Sequence, residues 1–152
     1  MTVKLSIPSA IFAGITATVV MTAFTFMAPL MGFEMDIPKM LAGTMGAPII
    51  IGWLAHFMVG IILAILYAFF FLPFSKREPN FKSGMMFSVI PWLMAQIMVM
   101  PMMSTMNGGT FAAGLFSGSL MMAMASLVGH LLYGVVLGFL CKPSAAVVSA
   151  GA

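Results

Sequence analysis

Two histidines, His56 and His130, are the side chains best suited to chemistry, because each lies within a long apolar stretch. An ionisable side chain at membrane depth is costly, and it normally faces the interior of a helix bundle or a cavity. A glycine follows each histidine four residues later, at Gly60 and Gly134. Positions i and i+4 share a helix face, so the repeated His-x-x-x-Gly pattern predicts that the two imidazoles face each other or share a pocket.

Three interpretations of the pair remain open. In the first, each imidazole forms hydrogen bonds with a neighbouring helix, since a neutral imidazole has one donor and one acceptor to satisfy. The available partners are Gln96, Thr18, Thr22, Tyr67 and Tyr133.

In the second interpretation, His56 and His130 are axial ligands of a b-type haem. Gly60 and Gly134 would then leave room for the flat macrocycle. The sequence has no arginine or lysine at membrane depth to meet the haem propionates. In the third, the pair lines a polar path for a proton, an ion or a small solute, although proton relays normally include a carboxylate.

Methionine is the second unusual feature, with 19 residues in 152. Ten of them cluster around two connections between apolar segments: Met27, Met31, Met35, Met40 and Met45, and Met98, Met100, Met102, Met103 and Met106. Soft thioethers suit Cu(I), which makes Met31, Met35, Met102 and Met103 candidate copper ligands. Methionine is also an adaptable filler of apolar cores and partner interfaces, so both interpretations stay open.

The elements that must position these side chains are membrane helices. Hydrophobic residues make up 62% of the chain and charged residues 6%, whereas a soluble domain has about 25% charged residues. Four apolar segments each reach the roughly 20 residues that a bilayer span requires. They are Pro8–Met31, Pro48–Phe74, Gly84–Met103 and Phe111–Cys141. We therefore predict an all-α, four-helix transmembrane protein with a single domain covering residues 1–152.

The last apolar segment is longer than one span requires. Gly114 and Gly118 could break it, which would make residues 111–118 an interfacial or re-entrant piece and start the spanning helix near Ser119. The alternative is one long, tilted helix.

Basic residues predict the orientation, because cytoplasmic loops carry an excess of lysine and arginine. Five of the six lie in the terminal segments or the loop between the second and third helices: Lys4, Lys76, Arg77, Lys82 and Lys142. We expect both termini to be cytoplasmic in a bacterial inner membrane. The connections over residues 32–47 and 104–110 would then face outward.

An internal repeat relates the two halves of the chain. A shift of 74 positions places His56 on His130 and Gly60 on Gly134. The pattern predicts two tandem helix hairpins, about residues 8–74 and 82–141, related by an axis along the membrane normal as a parallel repeat.

Three features have a known counterpart: the Gly14–Phe33 helix, the Gly52-Trp53-Leu54-Ala55-His56 start of the second helix, and the repeated His-x-x-x-Gly. Through them most of the chain resembles small uncharacterised four-helix proteins of bacterial inner membranes. The resemblance implies no activity.

The sequence offers little for catalysis, since the only aspartate, Asp36, lies in a polar connection and no HExxH or phosphate-binding motif occurs. We therefore expect a non-catalytic subunit or accessory protein of a larger respiratory membrane complex. The most specific version of this hypothesis places a b-type haem between the two histidines. The alternative is an oligomeric transporter or channel for a proton, an ion or Cu(I), with the histidines or the methionine-rich loops in its path.

Overall fold

The computed structural model describes residues 6–141, and over that range the chain is helical with no β-strand. Four helices of the described range are long and apolar enough to cross a membrane: α1 (Ile7–Met31), α3 (Ile49–Ser75), α4 (Phe81–Met106) and α6 (Leu120–Leu140). Two shorter helices lie between them: α2 (Ile37–Met45) and α5 (Phe111–Gly114). The prediction of an all-α chain with four candidate membrane spans is confirmed.

Polar caps fix where the helices begin. The Ser6 hydroxyl accepts a hydrogen bond from the Ser9 amide at 3.1 Å, and the Asp36 carboxylate accepts one from the Lys39 amide at 2.9 Å. Asn80 and Ser83 form a reciprocal capping box at the start of α4. Each cap satisfies an amide that the first helical turn leaves without a partner.

Glycine contacts hold the long helices close together. α1 packs against α3 and α6, and α4 packs against α6. Gly14 of α1 lies so close to α3 that an added Cβ would come within 2.8 Å of the Ala64 side chain. Gly84 of α4 meets the Gly134 backbone of α6 in the same way. Helices in lipid associate through such close packing.

The bundle has two distinct ends. We call the end that carries Lys76, Arg77 and Lys82 the basic end, and the opposite end, covered by α2 and α5, the capped end. α3 and α4 meet near the basic end, where the Tyr67 hydroxyl lies 2.7 Å from the Ser83 hydroxyl and the Tyr67 and Phe87 rings are 5.3 Å apart. Closer to the capped end, a cavity lies between α3 and α4.

α3 and α4, which line this cavity together with residues of α1, α2 and α6, each contain a π-helical turn. The turn covers Tyr67–Phe71 in α3 and Ala95–Val99 in α4. A proline follows each turn two residues later, at Pro73 and Pro101. Proline lacks the amide proton and crowds the carbonyl four residues earlier. The wider π turn accommodates it without ending the helix.

A sharp break precedes α6 and decides between the two alternatives for this segment. Phe116 and Ser117 both adopt left-handed backbone conformations, with φ of 50° and 58°. Ser119 is extended, and α6 begins at Leu120. The chain therefore changes direction after α5, and the interpretation as one long tilted helix is wrong.

Candidate functional site

A cavity of about 530 Å³ between α3 and α4 is the candidate functional site. Both histidines line it, so the structure places the predicted pair in one pocket. Most of the wall is apolar. The polar side chains on it are those of Thr18, Gln96, Ser117, Ser126 and Tyr133, beside the two histidines.

The position of His56 is fixed by a threonine of α1. Its Nε2 lies 2.9 Å from the Thr22 hydroxyl oxygen. The Thr22 hydroxyl has a single proton, and it donates that proton to the Thr18 carbonyl oxygen at 2.7 Å. Without the proton, these two oxygens would repel each other. His56 Nε2–H therefore donates to Thr22, which leaves the lone pair of a neutral imidazole on Nδ1.

The other histidine is held by its opposite ring nitrogen. His130 Nδ1 lies 2.8 Å from the backbone carbonyl of Ser126, one turn earlier in α6. A carbonyl oxygen can only accept, so Nδ1–H is the donor. The lone pair of a neutral His130 is therefore on Nε2.

Neither lone pair is sealed inside the protein. Within the described residues, every buried side-chain nitrogen or oxygen has a hydrogen-bond partner. His56 Nδ1 and His130 Nε2 have no such partner in this part of the chain, so they are not among the buried atoms. Because both side chains line the cavity, we infer that these two nitrogens are reached from it.

The other predicted partners have different roles. Gln96, which is 1% exposed, accepts a hydrogen bond from the Ser117 hydroxyl at 2.8 Å and donates to the Ser126 hydroxyl at 3.4 Å. The Tyr133 hydroxyl donates to the backbone carbonyl of Gly60. Of the predicted partners, only Thr22 bonds an imidazole. The predicted hydrogen bond to a neighbouring helix is found for His56, whereas His130 bonds a carbonyl of its own helix.

The two glycines of the His-x-x-x-Gly pattern lie at helix contacts. A Cβ at Gly60 would collide with the Thr18 side chain of α1, and one at Gly134 would collide with the Gly84 backbone of α4. Gly60 also lines the cavity, whereas Gly134 does not. Close helix packing therefore requires both glycines, independently of any ligand.

The structure separates the four candidate copper ligands into two pairs. Met35 and Met103 are buried and line the cavity, whereas Met31 and Met102 are 59% and 53% exposed and do not line it. Among the described residues, seven methionines line the cavity: Met21, Met35, Met40, Met94, Met100, Met103 and Met122.

A second, smaller cavity of about 240 Å³ lies at the capped end. It shares four lining residues with the first cavity: Met40, Met100, Met103 and Ser117. These side chains therefore stand at the boundary between the two spaces. Toward the basic end, the first cavity stops at Leu66 and Phe87, next to the buried Tyr67 and Leu137.

Residues 5–147 match the model of a family of unknown function, DUF6789. The chain belongs to this family. The expected resemblance to an uncharacterised family is thereby confirmed, and the match covers both histidines and every residue that lines the cavity. No curated protein and no solved structure matches the chain.

Two contributors to the site of this DUF6789 chain were not among the sequence candidates. Ser126 holds His130 through its backbone carbonyl, and the signal available was its position four residues before the histidine. Ser117 reaches Gln96 only because the chain is left-handed at Phe116 and Ser117. Neither residue type favours that conformation, so the only sequence signal was the neighbouring Gly118, which is left-handed as well.

Proposed function

We propose that this protein is a non-catalytic membrane protein that holds a small ligand in the cavity between α3 and α4. One observation carries the proposal. Both imidazoles line the same cavity, and within the described residues each is hydrogen-bonded through only one ring nitrogen, which leaves the other nitrogen with a free lone pair. A structural role accounts for the bonded nitrogen of each ring and leaves the second nitrogen without a role.

The wall of the cavity limits what the ligand can be. Within residues 6–141, no Asp, Glu, Lys or Arg lines it. The available polar groups are neutral, and the imidazole lone pairs are acceptors. A suitable ligand is therefore apolar over most of its surface with a hydrogen-bond donor, or is a cation that accepts imidazole ligands.

The geometry supports a b-type haem between His56 and His130 less well than it supports a smaller ligand. The lone pair of His56 is on Nδ1, which is next to the carbon that carries the side chain, so a flat macrocycle bound there would crowd the backbone of α3. In the described part of the chain, no lysine or arginine of the cavity wall could meet the propionates. The space beside Gly60, moreover, is occupied by the Thr18 side chain.

Transport is the second candidate function, and the adjoining cavity at the capped end favours it. The two cavities share Met40, Met100 and Met103, so a route from that end to the imidazoles would pass these side chains. Buried side chains close the route toward the basic end. A transporter would have to open that closure, and the π turns of α3 and α4 are places where these helices could bend.

We also propose that the basic end is cytoplasmic in a bacterial inner membrane and that the chain is a duplicated hairpin. The positive-inside rule supports the orientation. Matching contacts support the duplication. Gly60 meets Thr18 in the first half, and Gly134 meets Ser88 in the second. Gly134 lies 74 positions after Gly60, and Ser88 lies 70 positions after Thr18. The duplicated helices would therefore be joined by connections of different length.

An accessory role in a larger membrane complex fits the surface of the bundle. Large apolar side chains cover the outward faces of α3 and α4, including Leu54, Met58 and Leu93. Such faces can contact lipid or the helices of partner subunits. Copurification from native membranes would identify a partner complex directly.

Analysis of the retained ligand tests the proposed function. The full chain is purified from native membranes, and bound metals, pigments and small molecules are measured by mass spectrometry and optical spectroscopy. We expect a ligand in the wild type that is lost from the His56→Ala/His130→Ala double variant. Met58→Ala, on the outward face of α3, is the matched control and should retain it.

Two results would contradict the proposed function. One is that the wild type and the double variant retain the same compounds in the same amounts. The other is that the double variant loses thermal stability while the wild type carries no ligand, since a purely structural pair predicts that outcome. A Soret band that depends on both histidines would identify the ligand as haem.

A further inference from the structure

The cavity has the chemistry of a site for a soft monovalent cation, and we infer that it binds Cu(I). The inference rests on the proposed function, because it names the ligand of the same cavity. The ligand atoms would be the free imidazole nitrogens of His56 and His130 together with thioether sulfurs from the methionines of the wall.

The histidines already have the arrangement that a metal ligand requires. A metal-binding histidine normally donates its other ring N–H to a fixed acceptor, which sets its tautomer and orients the ring. His56 donates to the Thr22 hydroxyl and His130 to the Ser126 carbonyl. Both rings therefore keep a lone pair available for a metal without any change in hydrogen bonding.

The methionines supply the cavity with soft ligand atoms. Met35 and Met103 are almost fully buried, and five further methionines share the wall with them. Thioether sulfur is a neutral, polarisable ligand that selects Cu(I), and imidazole is also a good copper ligand. The wall therefore offers several thioether sulfurs beside the two imidazoles.

Other common metal ions lack ligands here. Over the described residues, no group of three or more histidine, cysteine or acidic side chains could hold a metal ion. Structural and catalytic zinc sites use at least three such side chains. Magnesium and calcium require oxygen ligands, and carboxylates are missing from the part of the wall that the structure describes.

Charge also favours a monovalent ion. All the proposed ligands are neutral, so the bound ion keeps its full charge in a low-dielectric environment. The cost of moving an ion out of water rises with the square of its charge, and it is already large for a single charge. Cu(I) therefore pays a much smaller desolvation cost than a divalent ion would.

The same chemistry continues at the boundary with the second cavity. Met40, Met100 and Met103 line both spaces. An ion coming from the capped end would meet thioether sulfur before it reaches the imidazoles, and it would not have to cross an uninterrupted hydrocarbon wall.

An anaerobic competition titration tests the inference. The full chain in detergent micelles competes with a chromophoric Cu(I) chelator, with Zn(II) as a parallel probe. We expect a single Cu(I) to bind per chain and Zn(II) not to bind. The His56→Ala/His130→Ala variant should lose at least about 100-fold in affinity, since even outer-shell changes cost metal sites 10- to 100-fold.

Methionine variants distinguish the cavity from the rest of the methionine-rich chain. Met35→Leu and Met103→Leu keep nearly the same volume and remove only the sulfur, so they preserve packing. We expect the pair to lower Cu(I) affinity by at least about tenfold. Met31→Leu and Met102→Leu, one or a few positions away but outside the cavity, are the matched controls and should leave the affinity unchanged.

The outcomes separate this inference from the proposed function. Wild-type protein that does not compete for Cu(I), or lining and control variants of equal affinity, would overturn the copper site. If the native preparation nevertheless retains another ligand that depends on the histidines, the proposed function stands without copper. If it retains none, both fail. The leucine variants remain decisive even if the double alanine variant does not fold.

Discussion

His56 and His130 are bound to the protein through opposite ring nitrogens, although the sequence places them at equivalent positions. His56 uses Nε2 toward the Thr22 side chain of another helix, and His130 uses Nδ1 toward a carbonyl of its own helix. The difference follows from the neighbours, since the two imidazoles meet different surroundings in the two halves. Both arrangements leave a lone pair that can bind a ligand in the shared cavity.

The first prediction concerns Thr22, which positions His56 without lining the cavity. Thr22→Val keeps the shape of the side chain and removes the oxygen that accepts the His56 proton. The imidazole can then turn, and the lone pair is no longer held toward the cavity. We expect Cu(I) affinity to fall roughly 10- to 100-fold, as for other outer-shell partners of metal-binding histidines. The measurement is the competition titration described above.

Thr16→Val is the control for this change. Its hydroxyl donates to the Phe12 carbonyl of the same helix, and the residue does not line the cavity. It should leave Cu(I) affinity unchanged. Equal effects of the two substitutions would mean that the Thr22–His56 hydrogen bond does not position the ligand.

The residue composition of the site was only partly predictable from sequence. Apolar context singles out the two histidines, and Thr22 was among the polar side chains available as their partners. The tautomers were not predictable, because they depend on which acceptor each ring reaches in three dimensions. The same limit applies to methionine. Met102 and Met103 are adjacent in sequence, yet only Met103 faces the cavity.

Close helix contacts, at the scale of the elements, shape the cavity. Gly14 brings α1 against α3, and Gly134 brings α6 against α4. With α3 held against α1 and α4 held against α6, a space remains between α3 and α4 at the level of the histidines. The glycines therefore act on the site indirectly, by setting the distance between helix axes.

The second prediction tests this role of glycine. A Cβ at Gly134 would collide with the Gly84 backbone and lie 2.6 Å from the Ser88 hydroxyl oxygen. Backbone cannot give way as a flexible side chain can. We expect Gly134→Ala to lower the free energy of unfolding by at least about 1–3 kcal/mol, the usual cost of overpacking. Thermal unfolding in detergent measures the effect.

Gly43→Ala is the matched control, because Gly43 lies in the exposed part of α2 and an added Cβ would meet nothing within 4 Å. Alanine is favoured over glycine inside a helix by about 0.5–1 kcal/mol. We therefore expect a small gain in stability. A Gly134→Ala protein as stable as the Gly43→Ala protein would contradict the packing role.

The π turns and the left-handed break at Phe116 and Ser117 are the elements that the sequence did not predict. Proline normally ends or kinks a helix, so Pro73 and Pro101 do not by themselves indicate a π turn. Gly114 and Gly118 indicated a break, and Gly118 is itself left-handed with φ of 67°. Phe116 and Ser117 share this conformation although their residue types do not favour it. These features depend on the packing of several helices at once.

For the molecule as a whole, the sequence predicts the number and approximate bounds of the spans well. Hydrophobic stretches long enough to cross a bilayer are a direct physical requirement, which is why all four were found. The space between α3 and α4 was not predictable, since it arises where two helices fail to pack. Lys4 and Lys142, which contribute to the orientation argument, lie outside the described residues.

The third prediction is that the basic end faces the cytoplasm. Glu78→Cys places a thiol at the exposed basic end, and Glu34→Cys places one at the exposed capped end. A membrane-impermeant thiol reagent applied to spheroplasts should label Glu34→Cys at once and Glu78→Cys only after permeabilisation. The reverse pattern would contradict the proposed orientation.

The native cysteine provides an internal control for this labelling. Cys141 is 3% exposed, and burial raises the pKa of its thiol to about 11. Near neutral pH the thiol therefore stays protonated, and the thiolate is the reactive species. We expect no labelling of the unsubstituted protein until it is unfolded.

Nitrogen NMR of the two imidazoles tests the central claim most directly. The chain contains only two histidines, so selective ¹⁵N labelling of an untagged protein gives a spectrum with one imidazole from each half. We expect two neutral rings of opposite tautomer, Nε2–H for His56 and Nδ1–H for His130. Adding Cu(I) should shift the unprotonated nitrogen of both rings together. Two rings of the same tautomer, or unprotonated nitrogens that no added ligand shifts, would contradict a shared binding site.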